Sequence, residues 1–379
     1  METRFGKFIT GKYFPKIFWT FYILLTLFLA AKTDWAFRIL AGRTLGIPFA
    51  LILLAAAVVF YGQKIARRLR GHAVKKALGF LTCLLIYDLL LTVLWTLLCL
   101  FLPLAEQAQA AGVIVCMAAA VLMVLLGFLH ARSVKTTACT IALGAGRRTG
   151  RGNKTYRIAL LSDIHLGAFV DARHAERIVQ KIQEISPDMV LISGDIIDVD
   201  NAVLQEEKEM QETGAVFSRI AAPDGVYAVL GNHDPQADNP AFLRFLDLCH
   251  FTLLHNEVRA FPDFTLIGRT NGTHNLRSPL SELMKQASPA RPVIVLDHDP
   301  QGIREAAAAG AGLVLCGHTH RGQFFPVTWF TKWANGKHYF YGHETFGQTQ
   351  AFISSGAGFF QLPVRIGTSN EVVDLHLLL

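Results

Sequence analysis

The sequence predicts a helical membrane region over residues 1–130 and an α/β layered domain over residues 157–379. A basic segment, 131–156, joins them as a linker with a candidate first strand. Three observations carry this reading. Apolar residues make up 52% of the 379-residue chain, and the long apolar runs are confined to its first third. Charge is divided: residues 1–157 carry 20 Lys/Arg and 4 Asp/Glu, whereas residues 158–379 carry 16 and 25. From Tyr156 onward, short apolar runs ending in polar clusters alternate with amphipathic stretches, the pattern of successive strands and helices.

Four apolar runs, near 17–31, 45–61, 77–102 and 111–130, approach the ~20 residues that cross a bilayer. The first is short and leans on Phe14, Trp19 and Tyr22, which suit an interface. A cleaved leader fits poorly, because three further runs follow. The second connection carries Lys64, Arg67, Arg68, Arg70, Lys75 and Lys76 without an acid, and the third only Glu106. After the fourth run come Arg132, Lys135, Arg147, Arg148, Arg151, Lys154 and Arg157, again without an acid. Basic loops stay cytoplasmic. The N-terminus (Arg4, Lys7, Lys12, Lys16), the second connection and the C-terminal half are therefore expected inside a multi-pass cell-membrane protein. The first connection, with Lys32, Arg38 and Arg43 against Asp34, is ambiguous. Asp88 interrupts the third run and reads as a protonated or hydrogen-bonded carboxyl inside the bundle.

The basic excess belongs to the hydrophobic half, which fits a membrane face and excludes a nucleic-acid-binding surface on the acidic half. Six cysteines without CxxC spacing read as free thiols, not as a disulfide framework.

In the C-terminal half, strands are expected at 157–161, 189–193, 225–230, 292–296 and 312–316. Helices are expected at 175–185, 204–220 and 242–249. The segment 136–143 is β-prone, and 144–153 is a Gly/Arg-rich loop. Each of the five strands stops at an Asp, Asn or His cluster: Asp163 and His165; Asp195 and Asp198; Asn232, His233 and Asp234; Asp297, His298 and Asp299; His318 and His320. Singly, each has a plain explanation as a helix cap or a satisfied core histidine. Together they converge, because ligands in α/β sheets gather at the carboxyl ends of strands. Glycine precedes Asp195, Asn232 and His318, suiting tight turns at strand tips.

This mixture of carboxylates, imidazoles and one amide oxygen, without thiolate, suits first-row divalent ions. Mn²⁺ leads, with Fe²⁺ and Zn²⁺ as alternatives. There are more candidate ligands than one ion needs, and two ions roughly 3.5–4 Å apart would use the excess.

The blocks Asp163-x-His165, Gly194-Asp195-x-x-Asp198, Gly231-Asn232-His233-Asp234, His298 and Gly317-His318-Thr319-His320 resemble, in this order, the calcineurin-like metallophosphoesterases. Gly322-Gln323, Ser355-Gly356-Ala357-Gly358 and Leu362-Pro363-Val364-Arg365 are similar to a bacterial branch that is often membrane-anchored. Some of its members cleave the pyrophosphate of UDP-2,3-diacylglucosamine. The resemblance implies two stacked mixed β-sheets flanked by helices. It implies Asp163, His165 and His320 on one metal, Asn232, His298 and His318 on the other, and Asp195 bridging them. It implies His233 as the group that contacts phosphate and protonates the leaving oxygen, oriented by Asp198. Arg321 departs from the branch, which has Gly there; it is a candidate for a second phosphate or an anionic headgroup, against a solvent-facing turn residue.

The expected activity is therefore a membrane-anchored, two-metal phosphoesterase acting on a phosphodiester or pyrophosphate. A lipid or lipid-linked phosphate is the favoured substrate, and the oligomeric state is left open. The aromatic stretch 324–346 reads either as a loop dipping into the interface or gripping an acyl chain, or as a packed flap. The alternatives are a phosphodiesterase on soluble substrates and a non-catalytic scaffold. The second would be expected to lack metal ligands, and none is missing.

Overall fold

The computed structural model of the chain describes residues 14–44, 48, 50–52, 54–55, 72–143, 155–274 and 276–379. It forms two compact units, residues 1–129 with 361–364, and residues 130–360 with 365–379.

The first unit holds the helices Phe14–Ala41, His72–Cys99 and most of Glu106–Ala131. Among the described residues, Val74–Cys99 and Glu106–Ala131 are long and apolar enough, by length and composition, to cross a membrane. The expected run at 17–31 is helical within Phe14–Ala41, and that at 45–61 lies largely outside the described residues. The two candidate spans present bare apolar faces: Leu94, Leu97, Val115, Leu122 and Leu126 are all exposed. So contiguous an apolar surface is disfavoured in water and satisfied in lipid. Among the inward-facing positions, large apolar residues such as Leu85 and Val124 are joined by small and paired ones. Gly112 leaves room for the Trp95 indole, whose Nε1 donates to the Gln109 carbonyl at 2.9 Å. Asp88 is buried, and its carboxyl accepts from the Thr92 hydroxyl at 3.3 Å.

The second unit contains two six-stranded mixed sheets. The strands are β1 (Val134–Ala142), β2 (Thr155–Leu161), β3 (Met189–Ile192), β4 (Val226–Ala228), β5 (Thr252–Leu253) and β6 (Glu257–Ala260), then β7 (Thr265–Gly268), β8 (Val293–Leu296), β9 (Leu313–Cys316), β10 (Gly342–Phe346), β11 (Thr349–Ile353) and β12 (Asn370–Leu378). One sheet has the order β1-β12-β2-β3-β4-β5 and the other β10-β11-β9-β8-β7-β6. β2, β3 and β4 run parallel, as do β7, β8 and β9. β1 lies in the segment read as a linker and pairs along all nine residues with β12. The Gly/Arg-rich loop at 144–153 lies outside the described residues.

The period-two side-chain rule explains the layering. Ile158, Leu160, Met189 and Leu191 meet Ile294, Leu296, Leu313 and Leu315 in a core between the sheets. Their neighbours Ala159, Leu161, Val190 and Ile192 face the helices Ala172–Ile185, Glu207–Phe217 and Pro240–Leu248 on the outer side. Val293, Val295, Val314 and Cys316 face helices Leu280–Met284 and Ile303–Ala308 on the far side. Strands buried on both faces read as continuous apolar runs, which is why the sequence shows them as such. The helix expected over 204–220 is two helices, Ala202–Gln205 and Glu207–Phe217, because Glu206 between them is extended. All six cysteines are free.

Candidate metal centre

The carboxyl ends of β2, β3, β4, β8 and β9 lie together, since β2-β3-β4 and β9-β8 are parallel neighbours in their sheets. Beyond β2 and β3 the hydrogen bonding continues between the loops. Asp163 donates its N–H to the Gly194 carbonyl at 3.0 Å, His165 to Asp195 at 3.0 Å, and Leu166 to Ile196 at 2.8 Å. Gly194 has φ +88, and a Cβ there would press on the Gly231 backbone and the His298 ring. At Gly317 a Cβ would collide with the Ser162 hydroxyl and the Asp163 carboxylate. Five of the seven candidate ligands, Asp163, His165, Asp195, His318 and His320, adopt left-handed backbone with φ between 50 and 71. Left-handed backbone costs a non-glycine residue roughly 1–2 kcal/mol. Such strain concentrates where side-chain aim matters more than backbone comfort.

Two sets of donor atoms lie within 4.8 Å of one another: Asp163, His165 and His320, and Asp163, Asp195 and His298. In the first, Nε2 of His165 and Nε2 of His320 are 3.0 Å apart, and His320 Nε2 is 3.3 Å from Asp163. In the second, Asp195 Oδ2 is 3.2 Å from His298 Nε2. The same oxygen is 3.6 Å from His165 Nε2, so Asp195 reaches a member of each set. Asn232 Oδ1 and His318 Nδ1 complete the surroundings of His298 Nε2, at 3.0 and 3.1 Å. The other ring nitrogen of His298 is held by the Ser193 carbonyl at 2.8 Å. Imidazole nitrogens converging on buried carboxylates are the donor set of a first-row divalent ion, so these residues fit such ions.

The charged groups of the cluster act on one another. Burial alone would raise the Asp195 carboxyl, but the His298, His165 and His233 imidazoles hold it far below the usual carboxylate range. Burial opposes protonation of His298, yet Asp195 overrides it and lifts the imidazole to about 10. Burial, reinforced by His165, pushes His320 well below its ordinary value. His233 sits at the rim, its side chain 22% exposed. Its backbone N–H donates to Asp195 Oδ1 at 2.9 Å and its ring packs on Phe360. Burial also lowers this imidazole.

Asp198 has a neighbour that was not expected. Its carboxylate lies 3.5 Å from Nδ1 of His165, a metal-ligand candidate, and its charge also acts on the His233 imidazole. The backbone sets this: Asp198 N–H donates to the Leu166 carbonyl at 3.0 Å, drawing the loop after β3 alongside residues 165–166. Arg321, also with φ +51, lays its guanidinium 4.3 Å over the Tyr341 ring. Arg321→Gly is expected to leave hydrolysis of bis(p-nitrophenyl) phosphate within about twofold of the parent, the scale of a surface substitution. A larger loss would place the guanidinium in the reaction.

Buried residues outside the ligand set hold the ligand loops. Asp234 accepts the N–H groups of Ile197 at 2.9 Å and Gly231 at 2.8 Å. Asp297 accepts the His298 N–H at 2.8 Å and a bidentate pair from Arg277. Arg365 donates to the carbonyls of His320, Ser355 and Gly358. Asp234 and Asp297 stand beside ligands in sequence and were visible in the clusters; Arg365 stood only in a tail motif without a role.

Fold and donor set define a two-sheet α/β domain with a candidate metal centre at its strand ends. Residues 156–322 match the model of the calcineurin-like phosphoesterases, and this region is a calcineurin-like metallophosphoesterase domain. An uncharacterized metallophosphoesterase of Helicobacter pylori is 30% identical over 232 residues, 60% of either chain. A transmembrane protein with metallophosphoesterase domain from Danio rerio is 31% identical over 58% of this chain and 53% of its own. The match thus spans little more than half the length of these relatives. A 5'-nucleotidase precursor from Thermus thermophilus aligns at 13% identity and a TM-score of 0.37, over 60% of this chain and 55% of that one.

Proposed function

We propose that the chain is a membrane-anchored, two-metal phosphoesterase that cleaves a phosphodiester or pyrophosphate of a lipid-linked substrate. The observation that carries the reading is the convergence of five strand-end clusters on one site, in a chain that also holds two membrane-length helices. Asp163, His165 and His320 would hold one ion, and Asn232, His298 and His318 the other, with Asp195 shared. Bound there, the ions would activate water and neutralise charge developing on the phosphoryl oxygens. Asp198 keeps the His165 ring in its ligand orientation from the far nitrogen. His233, partly open to solvent at the rim, gives its proton to the departing oxygen.

The spans form a multi-pass anchor, and their basic flanks argue for a catalytic domain on the cytoplasmic face. The Danio rerio relative, named a transmembrane protein, supports the anchored reading. A substrate carried by the bilayer, such as a UDP-diacylglucosamine-type pyrophosphate, would meet the site near the headgroup plane. Mn²⁺ is the preferred metal, with Fe²⁺ and Zn²⁺ next. The test is metal analysis of the purified full chain together with a panel of a diester, a monoester and a nucleotide-sugar lipid. Preferential turnover of the lipid supports the proposal; turnover of the soluble esters alone defeats the substrate assignment. His233→Gln is expected to keep both metals and lower kcat about 10²-fold, the low end for loss of a general acid. Metal loss in that variant would count against the role.

A further inference from the structure

Among its described residues, the phosphoesterase unit gathers exposed large hydrophobic residues at one place. Its exposed large hydrophobic residues are Val199, Leu243 and Leu276, which stand apart in sequence, and Val327, Trp329, Phe330 and Trp333, which share one nine-residue helix, Val327–Asn335. Trp329 is 71% exposed, Trp333 69% and Phe330 47%, and no residue of the helix is buried. At 100° per residue, positions 329, 330 and 333 fall within one third of the helix circumference. The chain's other three tryptophans lie in the N-terminal region at Trp19, Trp35 and Trp95.

The helix is firmly mounted. A Cβ on Gly322 (φ +70) would strike the Thr328 backbone, so the ligand loop and the first helical turn are in close contact. Thr328 N–H donates to the Phe324 carbonyl at 3.1 Å, and Gly336 N–H closes the last turn on Lys332 at 3.0 Å. The following turn is tied by Thr319 Oγ1 to the Phe340 carbonyl at 2.6 Å and by Arg304 to the Tyr339 hydroxyl at 2.9 Å. A held helix presenting tryptophans outward is built to contact something.

We propose that helix Val327–Asn335 docks on the surface of a lipid bilayer, seating Trp329, Phe330 and Trp333 at the headgroup level. Tryptophan favours that zone because its ring is apolar and its N–H polar. Charge points to the same occupant. Residues 321–343 include Arg321, Lys332 and Lys337 and no acid, within a half that carries 25 Asp/Glu. A local basic segment on an acidic domain suits an anionic headgroup plane. The inference rests on the membrane-anchored reading above and deepens it: the helix begins seven residues after His320, so docking brings the ligand loop to the headgroups.

The test uses the full chain reconstituted in phosphatidylcholine–phosphatidylglycerol vesicles whose acyl chains are brominated at carbons 6 and 7. The emission difference between the parent and W329F/W333F isolates the two rings from the other tryptophans. That difference is expected to be quenched roughly twofold relative to unbrominated vesicles, as for rings at the interface. An unquenched difference overturns the proposal. Access to aqueous acrylamide would then put the rings in water, and shielding from both quenchers would put them under protein. Metal content and hydrolysis of bis(p-nitrophenyl) phosphate, read on the same vesicles, separate the two ideas. Quenching without hydrolysis of any ester leaves docking standing and removes the enzymatic reading; hydrolysis without quenching removes docking alone.

Discussion

Asp195→Asn is expected to abolish metal loading and hydrolysis together. The substitution is nearly isosteric, and its amide oxygen can still accept the His233 N–H that Asp195 Oδ1 accepts at 2.9 Å. The local turn is therefore retained. What is lost is the anion that faces His298 at 3.2 Å and His165 at 3.6 Å, one from each side of the cluster. A neutral amide oxygen is a weaker metal ligand than a carboxylate oxygen, and it brings no charge to offset two dications. Metal centres contribute several kcal/mol of transition-state stabilisation, and each 1.36 kcal/mol is tenfold in rate. A fall of about 10³-fold or more on bis(p-nitrophenyl) phosphate is expected, with bound metal reduced in elemental analysis of the same sample. Full metal content with full turnover would exclude Asp195 from the centre. Full metal content with lost turnover would make it a catalytic group and not a ligand.

The ligand positions were legible because they obey a local rule. A buried apolar strand that stops at Gly-Asp, Gly-Asn or Gly-His is rare unless the side chain is being aimed; three of the five strand ends have that form, and five polar endings cannot all be caps. The five strands that carry the clusters were legible as apolar runs because they are buried on both faces; β5, β6, β7, β10, β11 and β12 were not read as strands. Asp234 and Asp297 were visible beside ligands, but the support given by Arg365 was not legible, because it depends on main-chain carbonyls at His320, Ser355 and Gly358 that only the fold brings to it. Asp198 shows the limit: its neighbour is decided by a backbone hydrogen bond to Leu166, which no residue type announces. β1 was legible only as a β-prone stretch at 136–143 inside a basic segment, because its place is fixed by pairing with β12 at the other end of the chain and by Ile141 in the core between the sheets. The aromatic stretch was legible as unusual but not as exposed. Its helical span and its outward rings depend on Gly322 receiving the Thr328 backbone, a close approach visible only in three dimensions.

The substitution expected to cost the fold most is Arg365→Met. Arg365 is fully buried, and burial lowers its guanidinium to about 10, still charged at neutral pH. All of its faces are used. Nε donates to Asn370 Oδ1 at 2.7 Å, Nη1 to the His320 carbonyl at 2.9 Å, and Nη2 to the carbonyls of Ser355 at 2.8 Å and Gly358 at 2.5 Å. One side chain thus joins the ligand loop after β9, the Ser355–Gly358 turn and the start of β12. Methionine would fill much of the volume but leave three buried carbonyls without a donor. Each such loss costs about 1–3 kcal/mol, reduced where water enters, so a net destabilisation of about 3–5 kcal/mol is expected. Arg365→Lys keeps the charge without the planar fork and should recover only part of this. Chemical unfolding of the full chain in detergent, followed through the phosphoesterase domain, reads the effect. Because the fork grips His320 through its carbonyl, metal content should fall in both variants under conditions where the domain is still folded. A lysine variant with parental metal content and stability would mean that the charge alone, and not the three-way grip, holds the loop in place.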